Sequence, residues 1–345
     1  MFRKIIAAVL ILSASILLVS VIFDFLFNSI AIIDRLFPFL TVIIVAGLNL
    51  KVSRYLWSGK PIKFIFNLTF TLLFFISSIM TSFVAATMYV DVHLKDKSYP
   101  TAYSNCHKVW SARGLVPSGP DITHTGTQNS IESISLAFES GAHGAEVDVH
   151  YDAERGEFIV AHDKPYNLKN GAILTLESLF NATGKNGSFW LDFKKLRHLD
   201  KEQLAQSVIE LERLAKNNGL KDRIYVEGEA PFSLLAYRDA GFFTIFDTHP
   251  VNDSHPLTPA IINLYKIFFY FGKFTVMGMN YGDIGNPIYG ERTRQLLFNT
   301  PVFIYHVQDH LKTFQALLDL ETVRVILPLN HSLIRYNLNS CSSDE

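Results

Sequence analysis

Cysteine is almost missing from this sequence. Cys106 and Cys341 are the only two in 345 residues, with no C-x-x-C pair and no Cys/His spacing of a zinc site. A disulfide-stapled scaffold and a structural zinc fold are thereby excluded. The two thiols either stay separate or, outside the cytoplasm, close a single bridge. An excess of positive charge is missing too. The 31 Lys and Arg against 32 Asp and Glu leave a formal net charge of −1, so no basic face for nucleic acid is implied. Charged residues make up only 18% of the chain and hydrophobic ones 49%. The mean hydropathy of +0.20 is high for a soluble domain. No internal repeat with a period of about 20–50 residues is visible, which argues against a solenoid.

The apolar excess lies before Tyr99. The run 5–23 is long enough to cross a bilayer as a helix. It exceeds the roughly 7–15-residue core of a signal peptide and lacks a small-residue cleavage site, so it reads as an uncleaved anchor. A second run, 36–50, is interrupted nearby by Asp34, Arg35 and Pro38 and reads as a span or as a re-entrant segment. A third, 64–90, is long and rich in Phe, Leu and Ile. Arg3 and Lys4 precede the first run, and Lys51, Arg54, Lys60 and Lys63 separate the second from the third. The positive-inside rule puts both groups in the cytoplasm. Three crossings then place the rest of the chain outside; two would invert it. The expectation is a multi-pass membrane region over 1–98 with the lipid bilayer as partner, a linker over 99–108, and an extracytoplasmic domain.

From residue 109 onward, strand-like runs alternate with amphipathic helices, the pattern of a parallel α/β fold. Strands are predicted over 109–113, 145–150, 190–193, 224–227, 243–246, 275–279, 302–307 and 323–327. Helices are predicted over 129–140, 201–217, 231–239, 259–270, 290–298 and 311–320. Eight strands with intervening helices fit a TIM-like (β/α)8 barrel over 109–335, followed by a tail over 336–345. The aromatic run 265–274 reads as a buried helix or as one that touches a membrane.

Chemistry concentrates in residues 144–163, GAEVDVHYDAERGEFIVAHD. Side chains alternate along a strand, so Glu146, Asp148 and His150 share one face. Burying two carboxylates two residues apart is costly without a compensating cation, and a hard divalent ion with oxygen ligands is a natural partner. His162, beside Asp163 at the end of the next run, is a candidate general acid or base. The bland alternative is an edge hairpin with its charges in water.

The flanks extend the pattern. Ala112-Arg113-Gly114 and Gln128-Asn129-Ser130 precede this stretch, and Asp192-Phe193-Lys194 follows it. The order resembles that of the glycerophosphodiester phosphodiesterase family, in the wider phospholipase-C-like group built on a TIM-like barrel. That family has a His-Arg-Gly strand end, a Glu-Asn-Thr helix start, a Glu-x-Asp strand, a His-Asp strand end and a Glu-x-Lys strand. The resemblance implies that Glu146, Asp148 and Asp192 hold Mg²⁺ or Ca²⁺ and that His162 transfers a proton. Arg113 and Lys194 would neutralise a phosphodiester's oxygens; the weaker alternatives are a surface salt bridge for Arg113 and a pairing with Asp192 for Lys194. Aspartate at 192 is one methylene shorter than the family's glutamate. Ala112 stands where the family has its first catalytic histidine, and a methyl group transfers no proton.

Substitutes for that histidine can be ranked by position. His124 belongs to the loop 115–128, which leaves from the same strand end, and is the candidate favoured here. His150, His306, Glu227 and Glu229 are the others. His107, five residues before Ala112, falls at the opposite barrel end. Tyr305-His306-Val307-Gln308 and Leu327-Pro328-Leu329-Asn330 depart from the family's usual strand ends. The reading is a membrane-anchored, metal-dependent phosphodiester hydrolase acting on glycerophosphodiesters or related lipid-derived diesters. Its rivals are a degenerate barrel that binds a metal or phospholipid headgroup without turnover, and a barrel that serves only for contacts.

Overall fold

The computed structural model describes residues 2–27, 32–58, 64–95, 107–116, 127–166, 168–169, 171–330 and 336. The chain divides into two compact units, one of residues 1–97 with 262–267 and 294–298, the other holding the remainder.

The first unit contains α1 (Phe2–Phe27), α2 (Ile32–Trp57) and α3 (Phe64–Lys95), one on each apolar run. Ala7 and Leu10 of α1 pack on Leu56, and Ala14 and Leu17 pack on Ala46. Alanines at these contacts let the helix backbones approach closely. The Ser53 hydroxyl donates to the Ala7 carbonyl at 3.1 Å. Among the described residues no helix is long and apolar enough to cross a membrane. The expected spans therefore have no support from the described residues, and many side chains of the three runs lie outside them.

The second unit begins with β1 (Ser111–Ala112), α4 (Ile131–Glu139), β2 (Gly144–Asp152) and β3 (Glu157–Val160). Next come the small hairpin β4 (Leu168–Lys169) and β5 (Ala172–Ile173), α5 (Leu176–Thr183) and β6 (Ser188–Phe193). Then follow α6 (Lys201–Asn218), β7 (Ile224–Gly228), α7 (Pro231–Asp239), β8 (Phe243–Asp247), α8 (Thr258–Gly272) and β9 (Val276–Asn280). The last elements are β10 (Gly282–Asp283), β11 (Asn286–Pro287), α9 (Glu291–Leu297), β12 (Val302–Val307), α10 (Leu311–Leu318) and β13 (Val323–Pro328).

Eight parallel strands run in the order β1-β2-β6-β7-β8-β9-β12-β13, with β3 antiparallel on β2. A parallel bridge between Val109 and Ile326 closes the barrel; the Ile326 N–H donates to Lys108 and the Trp110 N–H to Ile326. All eight predicted strands are present. The predicted helix at 129–140 starts two residues later, because Asn129 is left-handed (φ +56°) and Ser130 is the cap, its hydroxyl accepting from the Ser133 N–H. Helix α5, capped by Thr175, and the two small hairpins were not predicted. The predicted linker ends early, since Lys108 donates to the Leu318 and Leu320 carbonyls. Of the predicted tail only Tyr336 is described, and it is buried.

Large aromatic residues fill the barrel. Trp110, Trp190, Tyr225 and Phe303 pack with Ile245, Val276, Val325 and Leu327. Gly144 makes room for the Trp110 ring, because a Cβ there would come within 2.3 Å of it. This plug closes the barrel from below, so the chemistry sits above it, at the C-terminal strand ends. In the aromatic run over 265–274, Phe269 and Phe274 are buried and Phe271 is exposed.

Candidate active site

Two consecutive left-handed residues aim Arg113 into the barrel mouth. After β1 the chain turns through φ +57° at Arg113 and +87° at Gly114. A Cβ at Gly114 would lie 2.3 Å from the Ser133 hydroxyl, so the turn requires glycine. A non-glycine residue in this region costs about 1–3 kcal/mol. Hydrogen bonds hold it there: the Arg113 N–H donates to the Glu146 carbonyl at 3.0 Å, and the Arg113 carbonyl accepts from the Asn129 N–H at 2.8 Å. Arg113 Nε consequently lies 2.9 Å from Asp148 Oδ2 and 3.9 Å from Glu146 Oε1.

Asp148 is the fully buried centre of this cluster. Asn129 Nδ2 donates to its Oδ2 at 2.7 Å, and Asn129 Oδ1 accepts the Asp148 N–H at 3.1 Å. Lys194 Nζ sits 2.7 Å from Asp148 Oδ1 and pairs with Asp192. Strand register puts Asp148 opposite Asp192 and Asp192 opposite Glu227. Glu146, Asp148 and Asp192 each offer an oxygen, all within 4.8 Å of one another. The Lys194–Asp192 pair that the sequence offered as an alternative is present inside the site, and Arg113 pairs with the buried Asp148 rather than at the surface.

Charge is unevenly compensated. Burial would raise the Asp148 carboxyl, but Lys194 and Arg113 hold it below the ordinary range. Burial, with Asp148 and Asp192 adding to it, pushes Glu146 well up. Burial also outweighs Lys194 at Asp192 and raises it. Glu227 is raised by burial and by Asp192 and Asp247; it accepts the Trp190 indole N–H at 2.6 Å. Asp247 is pushed up to about 8 by burial and Asp192, and accepts from the Tyr305 hydroxyl at 3.1 Å. Among the described residues, Arg113 and Lys194 are the cations that pair with Glu146, Asp148 and Asp192, while Glu227 and Asp247 add two more carboxyls to the mouth. The shortfall of positive charge and the hard oxygen donors of the triad fit a divalent cation such as Mg²⁺ or Ca²⁺.

These groups open onto a cavity of about 540 Å³ whose walls include Ala112, Arg113, His162, Lys194, Glu227 and Tyr305. His162 is exposed, and its Nδ1 lies 2.8 Å from Asp163 Oδ2. His150 is buried away from the cavity, its Nε2 3.2 Å from the His162 carbonyl. His306 lines the cavity in a left-handed conformation, with Asn280 Nδ2 3.1 Å from its Nδ1. Glu229 is exposed and lies 3.6 Å from Arg197. His107 stacks on His143, outside the mouth as its spacing predicted. His124 lies outside the described residues. Asp247 was missed by the sequence reading, although it directly follows the predicted strand 243–246, and Tyr305 was noted only as a departure from the family's strand ends.

No protein-family model matches this sequence, and no curated protein does. Solved structures do resemble the fold. One is a glycerophosphodiester phosphodiesterase from Parabacteroides distasonis, 19% identical, with a TM-score of 0.50 over 67% of this chain and 96% of that one. Another is a glycerophosphodiester phosphodiesterase from Thermotoga maritima, 12% identical, with a TM-score of 0.46 over 65% of this chain and 95% of that one. The first match spans nearly the whole of the other chain at an identity that speaks for fold alone. The chain has the barrel fold of these glycerophosphodiester phosphodiesterases.

Proposed function

We propose that the barrel hydrolyses phosphodiesters, with glycerophosphodiesters or a related lipid-derived diester as substrate. The observation that carries this reading is the triad of the buried Glu146 and Asp148 with the half-buried Asp192, beside Arg113 and Lys194 at the open end of the barrel. Glu146, Asp148 and Asp192 would hold Mg²⁺ or Ca²⁺, which when bound supplies a Lewis acid for the phosphoryl oxygens. Arg113 and Lys194 bring fixed positive charge to the substrate's phosphate. Asp163 engages Nδ1 of His162 and leaves Nε2 as the nitrogen that exchanges a proton with the alcohol. A second proton-transfer group comes from the loop that leaves β1, with His124 as the candidate. The test is turnover of a panel of phosphodiesters by the full chain with Mg²⁺ or Ca²⁺, against EDTA. Metal-dependent release of alcohol, lost in Glu146→Gln, supports hydrolysis. Binding of the diesters with no release supports the second reading, a barrel that holds a headgroup without turnover. Ala112 in the cavity wall favours that second reading.

The reading extends to residues 1–98 as a three-span membrane anchor, with the loop around Ser58 cytoplasmic and the barrel outside. It rests on the three apolar runs of the sequence and on the placement of Lys51, Arg54, Lys60 and Lys63. Cysteines introduced singly at Ser58 and Ser254 in a cysteine-free background test it. An impermeant reagent on intact cells labels only Ser254→Cys if the topology is right. Labelling of Ser58→Cys alone inverts it.

A further inference from the structure

The mouth of the barrel is lined unevenly. Five consecutive strands of the sheet, β7, β8, β9, β12 and β13, are each followed by an exposed large apolar side chain. Phe232 opens α7, Leu257 caps α8, Ile284 lies between β10 and β11, Leu311 opens α10 and Leu329 follows β13. Phe232 is 79% exposed, and the other four are 44–54% exposed. Parallel strands deliver all five segments to the same end of the barrel, the end that carries the site. Isolated exposed apolar residues are ordinary; a ring of them around one cavity is not.

Among the described residues, the remaining arc carries exposed cations together with the exposed Asp163. Lys164 follows β3, and Lys195 and Arg197 follow β6; all are exposed. Lys195 is itself left-handed (φ +61°), at the turn that leaves β6. Acids on the apolar arc are engaged by protein groups. Glu229 faces Arg197 at 3.6 Å, Asp253 accepts the Arg292 and Thr293 N–H groups, and Asp283 accepts from Gln308 at 3.1 Å.

We infer that this rim is a lipid-docking surface. The apolar arc would enter the acyl boundary of a bilayer while Lys164, Lys195 and Arg197 meet anionic headgroup phosphates. Docking would put the cavity mouth at the headgroup layer, so that a phospholipid's own phosphodiester reaches Arg113 and Lys194 without leaving the membrane. The choice of substrate rests on the proposed hydrolase; the docking itself does not. A protein partner would also cover an apolar arc, but the exposed Lys164 and Lys195 beside it favour a phospholipid surface.

The decisive experiment uses the full chain in nanodiscs of phosphatidylcholine and phosphatidylglycerol. Single nitroxides at Phe232→Cys, Leu311→Cys and, as a control, Ile209→Cys in mid-α6 are read by collision with oxygen and with a water-soluble nickel chelate. Docking predicts that the labels at 232 and 311 favour oxygen and the label at 209 favours nickel. Equal, water-like accessibility at all three overturns the inference, as does protection at 232 and 311 that persists in detergent without lipid, the mark of a protein contact. A second assay compares vesicle-embedded phospholipid with a water-soluble glycerophosphodiester. Phe232→Ser with Leu311→Ser should lower turnover of the embedded lipid by about tenfold or more and leave the soluble diester unchanged. Equal loss on both substrates counts against docking. If neither substrate is turned over, the hydrolase reading fails and the nitroxides still decide the docking.

Discussion

Raising the pH without metal should loosen this protein, and a divalent cation should reverse the effect. Glu146, Asp192, Glu227 and Asp247 all have carboxyls pushed up by burial and by one another. Asp247 moves from 3.8 to about 8. A carboxyl raised in the folded state binds more protons there than in the unfolded chain between the two pKa values. Its stabilisation is full below about pH 4 and is lost as pH climbs toward 8. Each extra proton corresponds to about 1.4 kcal/mol per pH unit at most. Asp148 acts in the opposite sense, since its carboxyl is held low by Lys194 and Arg113 against burial; that contribution is complete once the pH passes the unfolded value near 4. Between pH 5 and 8 the raised group therefore dominates, with a net loss of a few kcal/mol. Denaturant midpoints of the full chain in EDTA, taken at unit pH steps, measure the slope. Repeating them with Ca²⁺ should flatten it, because the cation replaces the protons and stabilises the fold most where the carboxylates are ionised. A midpoint that rises from pH 5 to 8 in EDTA, or a Ca²⁺ effect that is larger at pH 5 than at pH 8, would refute the reasoning.

Four substitutions at three positions probe the site and its supports. Asn129→Gly keeps the left-handed backbone but removes both hydrogen bonds to Asp148, and should cost about 2–3 kcal/mol in denaturant unfolding; Asn129→Ala should cost about 1 kcal/mol more, from backbone strain alone. Gly144→Ala drives a methyl into the Trp110 ring and should destabilise by about 1–3 kcal/mol, seen as a lowered thermal midpoint with Trp110 fluorescence altered. Ala112→His restores a proton-transfer group at the cavity wall and should raise phosphodiester turnover by about 10²-fold if the wild type lacks that group; an unchanged rate would show that another residue already does the work.

Much of this architecture could be read in advance because parallel strands are continuous apolar runs and helices announce themselves by period. The carboxylate cluster was legible from Glu146 and Asp148 sharing a strand face, with Asp192 supplied by the family resemblance. The restraints on the triad were not. Asn129 reads as a helix-start residue, and only its left-handed backbone turns its amide onto Asp148. Asp247 and Tyr305 are 58 residues apart and meet only because β8, β9 and β12 are neighbours in the sheet. His150 illustrates the converse. Alternation put it on the metal face, but β2 pairs with β3 there, and its ring turns to the His162 carbonyl. The small hairpins carry too few residues for a periodic signal.

The most direct test of the central claim is calorimetric titration of the full chain with Mg²⁺ and Ca²⁺, beside Glu146→Gln and Asp192→Asn. The account predicts saturable binding of one divalent ion to the wild type, released protons at pH 7, and a loss of affinity of at least about tenfold in either variant. Binding of the same strength in both variants would contradict it and place any cation elsewhere in the molecule.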